Sequence, residues 1–233
     1  MLKIRTACES DLPQIMMIEK LSFALQIQES QNVFLERMKL CPKMFLIFYE
    51  ADEDGQPEIS PFESNGNNEN NGNNENNGNV TGYLCAEILY GIPQNQNELK
   101  LGHLPQKQLP EDSLEISQKK EYYVYISSFA VFPSKRGGGT GKKCWNLAME
   151  YFKNMNFEQN NAIIKGFLLL VNELWTKALT IYEKSGFEKI KTFKNFFDNG
   201  ENSFSDGILM KLFFQKFDLH KKFVKKTIFK LDG

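Results

Sequence analysis

The sequence predicts an α/β fold in which a mixed sheet is flanked by helices. Strand-like and helix-like segments follow one another in the order β-α-α-β-β-β-α-β-α-β-β. Residues 162–171 have almost no polar side chains, which is typical of a central strand covered on both faces. The second half of the chain contains two strand–helix–strand units, which favour parallel neighbours in a sheet.

The first half of the chain supplies the strands at 3–7, 44–51 and 80–89 and the helices at 9–23 and 29–40. These strands are rich in aromatic and aliphatic residues, and Pro42 ends the second helix. Ser10 is the candidate N-cap of the first helix. The apolar residues of that helix are predicted to share one buried face: Leu12, Ile15, Ile18 and Leu21.

The second half is predicted to contain strands at 122–132, 162–171, 187–197 and 205–217 and helices at 139–157 and 174–185. Gly186 is the expected C-cap of the last helix. The last two strands are predicted to form a hairpin across residues 198–202. Residues 91–120 form an irregular polar stretch that is long enough to cover a site.

The chain length favours one domain, predicted for residues 1–217. Residues 64–79 repeat Asn, Gly and Glu without any apolar residue, so we predict a disordered hairpin insertion. This insertion is either functionally silent or a promoter of association. Residues 218–233 are predicted to be a basic tail, because seven lysines face two aspartates from residue 211 onward. The tail is either a sticky basic segment or a solvated amphipathic one.

Composition argues against several classes of protein. The formal net charge is −1, from 28 Lys and Arg against 29 Asp and Glu, so no nucleic-acid partner is expected. No stretch approaches the ~18 apolar residues of a membrane span, and no signal segment is recognised. The cysteines contain no CxxC pair: Cys8, Cys41, Cys85 and Cys144. We therefore predict reduced thiols, no metal site and a cytoplasmic location, with the nucleus left open.

A glycine-rich segment between a strand and a helix is the most informative part of the sequence. Four of the five residues 137–141, here named the glycine loop, are glycines. Glycine allows the backbone to curl so that several N–H groups point inward, and a helix N-terminus adds partial positive charge. Arg136, Lys142 and Lys143 add full positive charges. The glycine loop is therefore predicted to cradle a pyrophosphate.

The glycine spacing distinguishes between phosphate ligands. A Walker A loop needs Ser or Thr where Lys143 stands, and the dinucleotide fingerprint needs Gly where Lys142 stands, so both patterns fail. The pattern Arg-x-x-Gly-x-Gly matches, as Arg136, Gly139 and Gly141. This pattern resembles the coenzyme A loop of the GNAT superfamily of N-acetyltransferases.

The resemblance extends beyond the loop. The preceding strand ends on Ala130-Val131, and a later family signature appears as Tyr182 followed by Gly186-Phe187. The opening strand and helix are also similar to those of the superfamily. The resemblance implies the GNAT fold, a mixed sheet of about seven strands that splays between the fourth and fifth.

The resemblance also implies that acetyl-CoA is the acetyl donor and that an amine attacks it directly, without a protein nucleophile. The implied coenzyme-binding residues are Phe129, Ala130, Val131, Arg136, Gly137, Gly138, Gly139, Thr140, Gly141, Lys142 and Asn172. Tyr182 holds the family position of the acid that protonates the coenzyme A thiolate. The amine must lose a proton before it attacks, and Tyr125 and Ser127 are candidates to accept it through water.

Three further residues are candidates for a chemical or a structural role. Glu87 is a candidate base, with a solvated strand face as the competing interpretation. His103 lies in the irregular stretch, either near the site or on the surface. Cys144 is predicted to belong to the core.

The sequence leaves more than one candidate for the amine that accepts the acetyl group. Ser22-Phe23 and Glu36-Arg37 give a weaker resemblance to the arylalkylamine (serotonin-type) N-acetyltransferases, which favours a small arylalkylamine over a protein lysine or N-terminus. Those enzymes carry histidines on the loop-bearing strand, and this sequence has none there. A non-catalytic acyl-CoA-binding module that acts through partners is therefore the third possibility. The sequence does not predict an oligomeric state.

Overall fold

The computed structural model describes residues 1–51, 80–102, 121–155 and 163–214. Its strands are β1 (Leu2–Thr6), β2 (Phe45–Glu50), β3 (Val80–Tyr90), β4 (Glu121–Val131), β5 (Ile163–Asn172), β6 (Glu188–Gly200) and β7 (Ser203–Phe213). Its helices are α1 (Leu12–Ser22), α2 (Gln31–Leu40), α3 (Thr140–Asn154) and α4 (Thr176–Lys184). The predicted order of elements is confirmed. The Asn-rich insertion (64–79), His103 and the basic tail (218–233) lie outside the described residues.

The described strands form one seven-stranded mixed sheet in the order β1-β2-β3-β4-β5-β7-β6. β4 and β5 are parallel, and β7 is antiparallel to both of its neighbours. The parallel register runs from the pair Glu121/Ile163 to the pair Ile126/Leu169, whereas β4 continues to Val131. The parallel pairing therefore ends before β4 does, as the predicted splay requires.

The chain divides into two compact units. The first comprises Met1–Ala86 and Ser128–Met155, and the second comprises Glu87–Ser127 and Asn156–Gly233. β3 and β4 each contribute residues to both units.

In the first unit, helices cover both faces of the strands. α1 and α2 pack against β2, β3 and the end of β4 through one apolar cluster: Leu12, Ile15, Ile18, Phe34, Met38, Phe45, Ile47, Val80, Tyr83, Cys85 and Ala130. Successive side chains of a strand point to opposite faces. Phe129 accordingly faces the other way, with its ring centroid 6.0 Å from Phe48 and 5.7 Å from Trp145 of α3.

In the second unit, the core lies between β4, β5 and the β6–β7 hairpin. Its buried residues are Leu99, Tyr123, Tyr125, Leu168, Phe193 and Leu209. The hairpin turns at Glu201 and Asn202, whose φ angles of 52° and 57° suit a two-residue type I′ turn. Gly186, with φ of 91°, ends α4 as predicted.

Two details of the first helix differ from the prediction. Ser10 is not its cap, because the Asp11 carboxylate accepts the Cys8 N–H at 2.8 Å and α1 begins only after it. Leu21 is 54% exposed, so it does not share the buried face. At about 100° per residue, Leu21 points away from Leu12 on the opposite side of the helix.

The four cysteines are free thiols. Cys144 is fully buried, and burial raises its pKa to about 12, so the prediction that it belongs to the core is confirmed. Across the part of the chain that the structure describes, none of the helices has both the length and the apolar character needed to span a membrane.

Candidate active site

The glycine loop adopts a backbone that only glycine accommodates easily. Gly137, Gly138 and Gly139 have φ angles of 102°, 53° and 82°, in the left-handed region. A Cβ added to any of them would meet no atom within 4 Å, so no part of the described protein fills the space beside the loop. The loop is therefore open to a ligand on the side to which its glycines point.

The start of α3 adds donors to this space. The Thr140 N–H and hydroxyl both donate to the Gly137 carbonyl at 3.0 Å, which closes the loop onto the helix. The next amides, of Gly141 and Lys142, belong to the first helical turn, whose N–H groups have no carbonyl within the helix. Together with the positive end of the helix dipole, these amides suit a bound anion.

The basic residues around the loop are not equivalent. The Arg136 guanidinium donates to the Val131 carbonyl at 2.9 Å and to the Ser22 hydroxyl at 2.6 Å. Burial lowers its pKa, but an arginine remains cationic at neutral pH. Lys135 instead forms an ion pair with Glu50, so its charge is already matched. The local positive charge thus comes from Arg136 and the exposed lysines that follow the loop.

Among the described residues, the end of β4 beyond Ile126 has no register partner on β5. A Cβ on Gly82 would lie 2.5 Å from the Ala130 carbonyl oxygen, so Ala130 directs its backbone toward β3. Neighbouring residues of a strand direct their backbone groups to opposite edges. Phe129 and Val131 therefore face away from β3, and the Val131 carbonyl is occupied by Arg136. Of the three predicted residues, Phe129 has both of its backbone groups on this edge, whereas Val131 has only its N–H left for a ligand.

Tyr182 and Asn172 belong to the second unit, and both are buried. Burial raises the pKa of Tyr182, so its phenol stays protonated across the ordinary pH range. The Asn172 side chain accepts the Leu174 N–H at 2.9 Å and donates to Asn199 at 3.3 Å. Asn172 thus braces the end of β5 against the β6–β7 hairpin, with its amide committed to protein partners.

The candidate bases differ in exposure. The Tyr125 ring packs in the core of the second unit, beside Leu168. Ser127, two residues later on β4, is half-buried. Glu87 is 1% exposed, so the alternative of a solvated strand face is wrong for this residue.

Three polar side chains that were not predicted as site residues form a hydrogen-bonded chain in the first unit. The Tyr83 hydroxyl on β3 donates to the Glu19 carboxylate on α1 and lies 2.8 Å from the Ser128 hydroxyl on β4. The other Glu19 oxygen accepts the Glu29 N–H at 2.7 Å. Glu19 and Tyr83 are buried, whereas Ser128 is half-buried. Glu19, Tyr83 and Ser128 are named the Glu19 network.

Burial dominates the electrostatics of this network. It raises the pKa of Glu19 to about 7, against the opposing hydrogen bonds from the Glu29 N–H and from Tyr83. The Glu29 carboxylate raises the pKa further and Arg37 lowers it. Burial and the Glu19 charge raise the pKa of Tyr83 well above its ordinary value. The network therefore joins a carboxyl that exchanges its proton near neutral pH to a phenol that stays protonated.

Helical periodicity indicates that Glu19 lies on the buried face of α1, which the pattern of apolar residues alone does not show. Glu19 follows Leu12 by seven residues, so at about 100° per residue the two lie only about 20° apart on the helix. A carboxylate on a buried apolar face needs hydrogen-bond partners. The sequence contains no comparable signal for Tyr83 and Ser128, which are 45 residues apart.

No protein-family model matches the chain, and no curated protein matches it in sequence. Solved structures do match. Arabidopsis thaliana NAA60 in complex with acetyl-CoA is 17% identical, with a TM-score of 0.58, and the match covers 91% of this chain and 98% of that chain. Arabidopsis thaliana Naa50 in complex with the bisubstrate analogue CoA-Ac-MVNAL is 13% identical, with a TM-score of 0.51, and the match covers 91% and 97%.

A bacterial structure matches over a similar length. The ribosomal-protein-S18-alanine N-acetyltransferase from Escherichia coli is 15% identical, with a TM-score of 0.51, and the match covers 91% of this chain and 93% of that chain. The class of fold follows from these likenesses together with the sheet order and the parallel β4–β5 pair. The chain has the fold of the GNAT superfamily of N-acetyltransferases, as the sequence predicted.

Proposed function

We propose that the chain is an acetyl-CoA-dependent N-acetyltransferase that transfers an acetyl group to a primary amine by direct attack. The glycine loop carries this proposal. Within a GNAT fold, three consecutive left-handed glycines open α3 and leave space beside them, with Arg136 held next to the loop by two hydrogen bonds. Amides, a helix N-terminus and a guanidinium are a donor set for a pyrophosphate.

The donor is proposed to bind with its pyrophosphate on the glycine loop, Arg136 and Lys142. Its pantetheine arm would pair with the backbone of Phe129 and Val131 in the manner of an added strand. Ala130 would contribute by holding β4 against β3 rather than by touching the arm. The fully buried Asn172 would support the end of β5.

The reaction forms a C–N bond, breaks the C–S bond of the thioester and moves two protons. An ammonium group cannot attack a carbonyl, so the acceptor must first lose a proton. Ser127, which is half-buried, is better suited than the core residue Tyr125 to hold a water for this step. Tyr182 is proposed to donate toward the departing thiolate, since its raised pKa keeps the phenol protonated.

The proposed acceptor is the N-terminal amine of a peptide. Two solved structures of the same fold support this choice. One is a complex with the bisubstrate analogue CoA-Ac-MVNAL, and the other is a ribosomal-protein-S18-alanine N-acetyltransferase. An α-amine, with a pKa of about 8, is also deprotonated more readily than an alkylamine, with a pKa of about 10. The small arylalkylamine favoured by the sequence stays a prediction.

A coupled thiol-release assay tests the function. Purified protein and acetyl-CoA are mixed with a peptide that has a free N-terminus, with the same peptide carrying a blocked N-terminus and one lysine, and with an arylalkylamine. We expect the free N-terminus to support thiol release with an equal amount of acetylated peptide. Release with the arylalkylamine alone would favour the small-amine alternative. Acetyl-CoA binding without release for any amine would indicate a non-catalytic acyl-CoA-binding module.

A further inference from the structure

The Glu19 network has one buried end and one half-exposed end. Glu19 is 2% exposed and is reached through the fully buried Tyr83. Ser128 ends the chain of hydrogen bonds and precedes Phe129, whose backbone faces the edge proposed for the pantetheine arm. A buried carboxyl linked by hydroxyl groups to a half-exposed position is the arrangement needed to carry a proton into the protein interior.

We propose that Ser128, Tyr83 and Glu19 carry the proton of the acceptor amine away from the site of acetyl transfer. Ser128 touches the acceptor, and Tyr83 and Glu19 act through it. This inference rests on the proposed N-acetyltransferase function, and it assigns the proton of the acceptor amine to Ser128 in place of a water held by Ser127.

The step balances as a proton transfer along two hydroxyl groups. The acceptor ammonium gives one proton to the Ser128 hydroxyl oxygen, which passes its own proton to the Tyr83 oxygen. The Tyr83 proton moves to Glu19, so the carboxylate becomes a carboxylic acid and both hydroxyl groups end as they began. The amine nitrogen then uses its lone pair to form the C–N bond, and the C–S pair leaves with the coenzyme A sulfur. The second proton of the nitrogen replaces the one that Tyr182 gives to that sulfur, so the products are an amide and a thiol.

The groups around Glu19 suit it to this task. Tyr83 faces it from β3, Glu29 from the segment before α2 and Arg37 from α2, and Arg37 pairs with Glu29 at 3.4 Å. Because burial outweighs the other influences, the pKa of Glu19 rises to about 7. An acceptor with a pKa close to the working pH is the most effective general base. Tyr83 keeps its proton at this pH, so it relays protons without becoming a phenolate.

The test compares pH profiles of kcat for the wild type, Glu19→Gln and Tyr83→Phe. Two amines are used in the full-length protein, a peptide α-amine with a pKa of about 8 and an alkylamine with a pKa of about 10. In the wild type, the pH profile of kcat should have a rising limb near pH 7. This limb should appear with both amines, because it reports a group of the protein and not of the amine. Each variant should lose this limb and about a hundredfold in kcat, with the affinity for acetyl-CoA unchanged.

Tyr151→Phe is the matched control. Among the described residues, its hydroxyl makes a hydrogen bond within the first unit to the Lys43 carbonyl, at 3.0 Å, rather than to a member of the network. We expect this variant to keep both the limb and the wild-type kcat.

The outcomes separate the two proposals. Wild-type turnover with the limb retained in Glu19→Gln and Tyr83→Phe would overturn the relay and leave the proposed function standing. Absence of wild-type turnover with every amine would overturn the proposed function, and the relay with it. Loss of acetyl-CoA affinity in both variants would overturn the relay in favour of a purely structural role for the network.

Discussion

The glycine loop and the Glu19 network belong to the same compact unit, yet their physical properties are opposite. The three consecutive glycines of the loop are exposed, and their left-handed backbone at Gly137, Gly138 and Gly139 would be strained in a residue with a bulky side chain. In the network, Glu19 and Tyr83 are buried and Ser128 is half-buried, and all three lie in ordinary helix and strand conformations. One offers amides and cations to a ligand, while the other holds a carboxyl whose pKa is raised to about 7. We therefore expect that donor binding and proton transfer can be disrupted separately, by variants of the loop and of the network.

The largest expected effect is on the loop. Gly138→Val should weaken acetyl-CoA binding by about a hundredfold, because a left-handed β-branched residue is strained by about 1–3 kcal/mol and its side chain enters the open space. Isothermal titration calorimetry measures the change. Gly91→Val is the control, since Gly91 has a φ of 67° and equally open surroundings but lies outside the loop. Equal losses of affinity in both variants would show that strain alone, and not the site, explains the effect.

The second prediction concerns stability and separates the network from the loop. Glu19 has a pKa of about 7 in the folded protein against an ordinary value of 4.5. Between these values the folded protein binds the proton more tightly than the unfolded chain does. The free energy of unfolding should therefore fall as pH rises from about 4.5 to 7, by about 3 kcal/mol from this group. Urea unfolding of the wild type and Glu19→Gln at both ends of this range measures the contribution.

Glu36→Gln provides the matched comparison for this slope. Glu36 is 44% exposed and pairs with Lys39 on the surface of α2, so its replacement removes a carboxylate without touching the network. We expect Glu36→Gln to keep the wild-type pH dependence. A Glu19→Gln protein with the same slope as the wild type would contradict the raised pKa.

A smaller effect is expected from the cation beside the loop. Arg136→Ala should weaken acetyl-CoA binding about tenfold, the scale of one charge-assisted hydrogen bond. Arg136→Lys should recover part of the loss, because it keeps the charge but not the planar contacts to Val131 and Ser22. Lys135→Met is the control, since Lys135 is already paired with Glu50. A larger loss from Lys135→Met than from Arg136→Ala would mean that the pyrophosphate lies elsewhere.

The sequence predicted the loop and missed the network for a physical reason. Glycines in left-handed conformations are a local requirement, so their spacing around Arg136 is visible in the chain. Glu19 was missed because the apolar residues alone, with Leu21 among them, were used to define the buried face of α1. A spacing of seven residues in fact places Glu19 next to Leu12 on that face. The contact between Tyr83 and Ser128 depends on how β3 lies against β4, which no local pattern encodes. The fold was predictable because the order of elements and their apolar content are also local properties.

The smallest expected effect tests whether a buried charge beside a tyrosine is enough to indicate function. Lys211 is buried in the second unit, donates to the Tyr123 hydroxyl at 2.9 Å and lies 3.8 Å from the Phe213 ring centroid. Tyr123 donates in turn to Glu121, which is 54% exposed at the start of β4. This cluster resembles the Glu19 network in its chemistry, but it belongs to the second unit, whereas the network belongs to the first.

Lys211→Met should change the free energy of unfolding at neutral pH by less than about 1 kcal/mol, because relief of desolvation offsets the lost contacts. Burial lowers the pKa of Lys211, so the unfolded chain binds its proton more tightly. The wild type should consequently gain stability as pH rises toward 10.5, and the variant should not. In the thiol-release assay, the pH profile of kcat for Lys211→Met should keep the rising limb near pH 7. Loss of this limb in Lys211→Met would show that a buried charge outside the Glu19 network also controls kcat. The assignment of the limb to Glu19 would then be wrong.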